Sequence, residues 1–164
     1  MTTEQYKLEK WIWTNRDFDL MGWHDATIYA FALKPEQFEL LLDIDYILKW
    51  VDPVPPNDYY TFWVAPATLV FEGVHDIRVD LDIRYIQDIS LQGIEREGPI
   101  ASPDNKQISE WMWTLEANEG IIKFRASGYR QYFRSEPIVT NLQGLSLDER
   151  GGLSFETRVQ QNGV

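Results

Sequence analysis

The sequence predicts an all-β protein, an antiparallel sandwich or barrel of about nine or ten strands with no long helix. Three observations favour this fold class. Apolar and polar residues alternate with a period of two over most of the chain. Short turn motifs separate the alternating segments. Aromatic residues make up 14% of the chain, with 7 Trp, 8 Tyr and 8 Phe, which is typical of a β-rich core. The 164 residues match a single domain, 1–164.

The first half of the chain contains one ambiguous segment followed by a predicted hairpin. In residues 1–20, alternation around Trp11 and Trp13 indicates a strand, whereas the stretch before Gly22 resembles one helical turn. Residues 23–33 are apolar on both alternating faces, as in a central strand covered on two sides. Residues 38–50 place leucines on one face and aspartates on the other. A turn at Pro35 joins these two strands into a hairpin.

The remaining elements follow from the same alternation. Residues 51–58 and 98–106 are rich in proline and are predicted loops. Pro66 interrupts a strand at 59–72 and predicts a bulge or an edge position there. The further predicted strands cover 77–85, which has the clearest amphipathic pattern, 89–97, a hairpin of 111–116 with 122–126, 129–134, and a final pair at 144–147 and 153–159. Residues 160–164 are expected to fray.

Charge and cysteine content limit the possible partners and location. The chain has 15 Lys and Arg against 26 Asp and Glu, a net charge of −11, which repels phosphate backbones and anionic lipids. We therefore expect neither a nucleic-acid nor a membrane partner. The charge favours encounter with a basic protein or with cations, and keeping the protein soluble is the more common role of such acidity. The absence of cysteine excludes disulfides, zinc fingers and thiol nucleophiles. A polar N-terminus and the lack of a long apolar run predict a cytoplasmic protein.

Two His-Asp dipeptides are the first candidate catalytic or metal-binding residues. His24 precedes Asp25 and His75 precedes Asp76, and each pair follows a glycine closely. Adjacent residues of a regular strand point to opposite faces, so each pair must lie in a turn, or meet a partner from another strand, to form a dyad. A structural role, such as capping or a hydrogen bond to the main chain, is the alternative.

Two pairs of aspartates are the second candidate. Asp43 shares a face with Asp45, and Asp80 shares a face with Asp82. If their strands were neighbours, the four carboxylates would converge on one oxygen-ligated cation such as calcium or magnesium. The basic residues beside the second pair favour instead a solvated, salt-bridged sheet face.

The remaining sequence signals point away from the large enzyme classes. The chain lacks a glycine-rich phosphate loop, a nucleophile elbow, a His-Glu-x-x-His motif and a dinucleotide fingerprint. No cofactor is predicted. The tryptophans are expected mainly in the core, with one or two available for a ligand-stacking surface.

One part of the sequence resembles a known group of proteins. The segments Met21-Gly22-Trp23-His24-Asp25 and Pro66-Ala67-Thr68-Leu69-Val70-Phe71-Glu72 are similar to small acidic bacterial proteins of unassigned function, some of which are grouped with immunity proteins of toxin systems. The resemblance covers about the first half of the chain and brings no catalytic residues. It implies a protein that neutralises a toxin by covering its surface.

Three functional hypotheses follow. The first is a non-enzymatic acidic binding protein, immunity-like, that engages a basic protein partner. The second is a small-molecule- or metal-binding β-barrel, potentially a hydrolase, with His24 and His75 near the pocket mouth. The third is a structural domain that forms a homo-oligomer through an edge strand.

Overall fold

The computed structural model describes residues 5–85 and 88–159. It contains ten strands in one antiparallel sheet system, which confirms the predicted all-β class. The elements are β1 (Ile12–Thr14), β2 (Thr27–Lys34), β3 (Glu39–Val51), β4 (Thr61–Glu72), β5 (His75–Leu81), β6 (Ile89–Ala101), β7 (Ser109–Ala117), β8 (Gly120–Ala126), β9 (Gly128–Phe133), β10 (Ile138–Thr140) and α1 (Leu147–Arg150). Two short 3-10 helices span Asn15–Leu20 and Pro35–Gln37. In these residues no helix has the length and apolar character needed to cross a membrane.

The strands are ordered β1-β9-β4-β3-β2-β6-β7-β8-β5, with β10 beside β4. The pairing between β2 and β6 is short, limited to Thr27 with Ser90 and Ile28 with Ile89. The sheet bends at this junction, and side chains from both halves meet in one core. Within the described ranges β1 and β5 do not pair, so the sheet is not closed. The architecture is therefore a sandwich rather than a barrel.

Aromatic side chains join the two halves of the sheet. The ring of Phe71 on β4 lies 5.2 Å from Trp113 on β7 and 4.7 Å from Phe124 on β8, measured between ring centroids. Tyr129 on β9 contacts Trp113 edge-on at 5.7 Å. Such edge-to-face pairs stabilise a core beyond the area that they bury. The leucines predicted on the inner face of β3 are part of the same core.

Both predicted hairpins are present. β2 and β3 are joined through Pro35–Gln37, and Phe38 adopts a left-handed φ of 55° as the turn ends. β7 and β8 are joined by a tight turn that ends at Gly120. Gly120 has a φ of 143°, and a Cβ there would lie 2.0 Å from the carbonyl oxygen of Asp80. Only glycine therefore allows β5 to approach β8 this closely.

Pro66 corrects one sequence-based expectation, because it lies in the interior of β4, opposite Asp45 of β3. On the other side of β4, β10 pairs as far as Val64 and β9 begins at Ala67. The carbonyl of Pro66 accepts a hydrogen bond from the main-chain N–H of Arg134 on that side. Its nitrogen, which carries no hydrogen, thus faces the gap between two strands, and neither a bulge nor a sheet edge is needed to accommodate it.

The C-terminal part of the chain differs most from the prediction. The expected strands at 144–147 and 153–159 do not form; the chain instead makes α1 and an irregular segment. Ser146 caps α1 by accepting from the N–H of Glu149, and Gly151 ends it with a left-handed φ of 79°. This segment lies over the outer face of β3, where Leu145 packs against Ile47. Residues 160–164 lie outside the described residues.

The ambiguous N-terminal segment contains both of the elements that it suggested. β1 pairs with β9, and the 3-10 helix begins with a capping box in which the Asp17 carboxylate accepts from the N–H of Thr14 at 2.8 Å. A 2.6 Å hydrogen bond from Lys10 to Asp17, together with the bond from Thr14, lowers the pKa of Asp17 below its usual value.

Two strands are shorter than predicted. β2 begins at Thr27 because residues 23–26 form a turn, and Phe31 and Leu33 are exposed on it, so β2 is not covered on both sides. β5 ends at Leu81, and residues 82–85 of the clearest amphipathic pattern are irregular.

Candidate functional site

In both His-Asp dipeptides the aspartate has left-handed backbone geometry: His24-Asp25 lies in a turn, whereas His75-Asp76 forms the start of β5, where the pairing with β8 is irregular. Asp25 has a φ of 65° and Asp76 a φ of 54°. The left-handed turn brings each carboxylate back toward the preceding ring: His24 Nε2 lies 3.5 Å from Asp25 Oδ2, and His75 Nδ1 lies 3.3 Å from Asp76 Oδ2. Asp tolerates this backbone conformation better than most residues. His24 thus meets its aspartate through a turn, and His75 does so through an irregular strand start while also contacting Glu110 of β7.

His24 is held in a defined orientation by a direct contact with β6 and by the fixed position of Asp25. Its Nδ1 lies 3.1 Å from the carbonyl oxygen of Gln92 on β6, so an Nδ1–H donates there. The neighbouring Asp25 is fixed in turn, because its N–H donates to the carbonyl of Leu91 and its carboxylate accepts from Gln143 at 2.9 Å. Although the His24 side chain is 61% exposed, these contacts restrict how far it can rotate.

An exposed aromatic cluster surrounds His24. The rings of His24 and Trp50 are stacked, with centroids 6.2 Å apart and planes 14° apart. Trp50, at the end of β3, contacts Tyr60 and the buried Phe62 edge-on at 6.4 and 5.0 Å. Trp50 is 42% exposed and Tyr60 48% exposed. We call the surface formed by His24, Trp50 and Tyr60 the Trp50 platform.

The loop that borders the Trp50 platform is acidic. Between Trp50 and Tyr60 the chain carries Asp52 and Asp58 and no lysine or arginine, and both carboxylates are exposed. Three prolines in this loop restrict its backbone. The platform therefore combines exposed aromatic rings, a restrained loop and negative charge.

His75 lies in a different environment, at the start of β5. Its Nε2 is 2.9 Å from Oε2 of Glu110, a carboxylate whose side chain is only 4% exposed. Arg125 Nη2 lies 2.8 Å from the other oxygen, Oε1, although its N–H bonds do not point at that oxygen. Both ring nitrogens of His75 thus face carboxylates, one from the buried Glu110 and one from the exposed Asp76. Beside this cluster is a groove of about 320 Å³ lined partly by Phe38 and Ile108.

The two histidines do not form one site. His24 contacts Gln92, whose side chain donates to Asn118 in the turn that follows β7. His75 instead contacts Glu110, the second residue of β7. At about 3.4 Å per residue the two ends of this strand are roughly 25 Å apart. The hypothesis of a barrel mouth lined by both histidines is therefore wrong.

The first pair of candidate aspartates is fully buried and paired with arginine. Asp43 accepts from Arg134 at 2.6 Å and from two nitrogens of Arg150 at 2.6 and 2.9 Å. Asp45 accepts from Arg150 Nε at 3.1 Å and from the Tyr29 hydroxyl at 2.9 Å. The face of β3 that was expected to be solvated is thus buried, and these carboxylates bind the C-terminal segment to the sheet. We call Asp43, Asp45, Arg134 and Arg150 the Arg150 network.

Ionisation in the Arg150 network follows from its geometry. Burial alone would lower the pKa of Arg150, but the hydrogen bonds and charges of Asp43 and Asp45 outweigh burial and raise that pKa above its usual value. Burial, reinforced by the Asp45 charge, also raises the pKa of Tyr29. The guanidinium of Arg150 lies over the Tyr29 ring at 3.9 Å, so the charge is held between two carboxylates and an aromatic face.

The second pair of aspartates lies elsewhere. Asp80 is on β5, which pairs with β8 rather than with β3, and Asp82 follows the end of β5. Both are exposed, and Asp82 lies 3.6 Å from Arg84. The four aspartates therefore do not converge. In residues 5–85 and 88–159 no group of three His, Cys, Asp or Glu side chains is placed to hold a metal ion.

Sequence reasoning did not single out Glu110, Arg134 or Arg150. Each is a charged residue separated from its partner by at least 35 positions, and no local pattern marks it. The buried aspartates of β3 were visible as a pattern, but their partners depend on where the C-terminal segment lies.

Comparison of the chain with protein-family models, curated protein sequences and solved structures found no match.

Proposed function

We propose that this protein is a non-enzymatic binding protein that takes a basic protein partner on the Trp50 platform. The observation that carries the proposal is the exposed stack of Trp50 on His24, bordered by Asp52 and Asp58 without an intervening cation. Large aromatic rings exposed on one surface are typical of the centres of protein interfaces. Negative charge around them selects lysine or arginine side chains.

The chemistry of the platform suits a guanidinium or ammonium group. A cation over an indole ring contributes about 0.5–2 kcal/mol, depending on how far it is desolvated. A neighbouring carboxylate adds an ion pair to the same side chain. The contacts that orient His24 and the prolines of the loop reduce the entropy lost on binding. The net charge of −11 accelerates encounter with a basic partner.

The resemblance to immunity-type proteins is consistent with this site. The similar segment 21–25 ends in His24 and Asp25, and its Trp23 is buried with its indole N–H donating to Gln131 at 2.8 Å. Trp23 thus fixes the segment in the core, whereas His24 is exposed on the platform. A toxin nuclease, which must hold phosphates, has the basic surface that the platform requires. We propose such a toxin as the partner class.

The test compares matched variants in capture and in reconstitution. Tagged protein is used to capture partners from a lysate of the source cell, and the partner is then purified. Its association with Trp50→Ala is compared with Phe38→Ala, since Phe38 is an exposed aromatic residue at the opposite end of β3. We expect Trp50→Ala to weaken binding at least tenfold, as for an interface hot spot, and Phe38→Ala to leave binding unchanged.

Charge is tested separately. Asp52→Asn with Asp58→Asn removes the same charge as Glu36→Gln with Asp148→Asn, which are exposed elsewhere. The platform pair should slow association and reduce its salt dependence more than the control pair. If Trp50→Ala binds like the wild type, or if association is insensitive to salt, the proposal is wrong.

A further inference from the structure

The edge of the sheet at β5 has unpaired main-chain groups in a definite pattern. Within the described residues β5 pairs only with β8. The N–H of Asp82 donates to the carbonyl of Glu119, and pairs in an antiparallel ladder alternate between bonded and non-bonded. Asp80 and Arg78 therefore direct their main-chain groups toward β8. The main-chain groups of Ile77, Val79 and Leu81 point outward, away from the sheet.

Several side chains of β5 are also exposed and make few contacts with the described residues. Val79 lies opposite the buried Ile122, so it is on the core side of the sheet, yet it is 49% exposed. On the outer side, Arg78 lies opposite Lys123, a like charge. Among the residues described, no ion-pair partner contacts Arg78 or Asp80. Within the described residues, outward-pointing main-chain groups, the exposed Val79 and the charges of Arg78 and Asp80 thus lack partners along this strand edge.

We propose that a second copy of this chain pairs with β5 in antiparallel orientation about a two-fold axis at Val79. In this register Val79 faces Val79 of the second copy and Ile77 faces Leu81, and all the outward-pointing residues exchange main-chain hydrogen bonds. Arg78 then lies directly opposite Asp80, twice by symmetry. These are non-bonded pairs, in which the side chains approach most closely and opposite charges stabilise pairing.

Other registers that place the two-fold axis at Arg78 or Asp80 give like-charge pairs and fewer main-chain hydrogen bonds. An axis at Arg78 places two arginines opposite each other, and an axis at Asp80 does the same for two aspartates, while both reduce the number of bonded pairs. The ladder is confined to Ile77 through Leu81, because Asp76 has left-handed geometry and Asp82 lies past the strand end. Such a short ladder is smaller than a standard interface of about 1,600 Å², so we expect a weak, concentration-dependent dimer.

A single cysteine tests the register directly, since the natural chain has none. A bonded antiparallel pair has Cα atoms about 5.5 Å apart, within the range of a disulfide. Val79→Cys should therefore give a covalent dimer under mild oxidation. Ile77→Cys should not, because residue 77 faces residue 81 of the second copy and the two cysteines would be roughly 13 Å apart. Equal cross-linking of both variants, or of neither, overturns the proposal.

Charge reversal provides an independent readout in solution. In sedimentation equilibrium, Arg78→Asp and Asp80→Arg should each weaken the dimer about tenfold or more, because each creates two like-charge pairs. The double variant exchanges the charges and should restore the dissociation constant to within about threefold. Arg84→Asp, outside the ladder, is the control. A wild-type protein that stays monomeric at millimolar concentration, or a dimer indifferent to these variants, rules out the proposal.

Discussion

Replacing Arg150 with methionine should remove a large part of the stability of this protein. The guanidinium is fully buried and is the only cation that contacts Asp45 in the described residues. In Arg150→Met, Asp43 keeps its 2.6 Å contact with Arg134, whereas Asp45 keeps only neutral donors, the Tyr29 hydroxyl and the N–H of Leu145. Removing one member of a buried ion pair costs about 3–5 kcal/mol, because the remaining charge stays desolvated.

The loss is measurable by urea and thermal unfolding. For a protein of this size each kcal/mol corresponds to about 2–4 °C, so the melting temperature should fall by about 6–20 °C. Arg158→Met is the matched control, since Arg158 is exposed and lies 3.9 Å from Glu156. That substitution should change stability by less than about 0.5 kcal/mol. Limited proteolysis should cleave the segment over β3 first in Arg150→Met and not in the control.

A double variant distinguishes the effect of the uncompensated Asp45 charge from the effect of the packing lost with Arg150. If the uncompensated Asp45 carboxylate causes the loss, Asp45→Asn in the Arg150→Met background should recover part of the stability, although Asp45→Asn alone destabilises the wild type. A loss in Arg150→Met below about 1 kcal/mol would refute the reasoning. So would strict additivity of the two substitutions, which would mean that the residues act independently.

Three further predictions concern single residues. The pKa of Asp17 is lowered in the folded state, so its stabilisation is present above the unfolded pKa and is lost as the pH falls through the folded value. In urea titrations Asp17→Asn should cost about 1 kcal/mol at pH 7 and progressively less as the pH falls below the unfolded pKa. Burial raises the pKa of Tyr29, so Tyr29 should stay protonated in the folded protein at pH 10.5. Tyr29→Phe should therefore leave the tyrosinate absorbance at that pH unchanged. Gly120→Ala should destabilise the protein by about 2 kcal/mol or more, because the added Cβ contacts the main chain of Asp80. In the control Gly22→Ala the Cβ meets no atom within 4 Å, so the free energy of unfolding measured by chemical denaturation should change by less than about 0.5 kcal/mol.

Local patterns predicted the parts of the fold that depend on neighbours in sequence. The hairpins at Pro35 and at Gly120 form as expected, because short turns between alternating segments bring adjacent strands together. The inner face of β3 is also as predicted, since a period of two assigns a strand's faces without reference to its partners. The same pattern did not reveal that Asp43 and Asp45 are buried, because burial of the outer face depends on a segment about a hundred residues away.

For the candidate site residues, too, the sequence predicted local geometry but not contacts between distant parts of the chain. The sequence indicated that neither His-Asp pair could form within a regular strand, and the left-handed backbone of Asp25 and Asp76 shows that both sites depart from regular strand geometry. It did not indicate that His24 stacks on Trp50, or that His75 faces a buried Glu110, since both contacts join residues far apart in sequence. Trp50 was one of seven equivalent tryptophans in the sequence, and only packing distinguishes it from the buried Trp113.

The sequence by itself determined the class of structure, the antiparallel hairpins, the acidic charge and the absence of thiol chemistry. These depend on composition and on side-chain periodicity, which act locally along the chain. The tertiary structure alone decided that the sheet folds into an open sandwich, that the C-terminal segment covers β3 through Arg150, and that aromatic rings remain exposed beside an acidic loop. Each of these depends on contacts between residues far apart in sequence, and their free energy exists only once the sheet has formed.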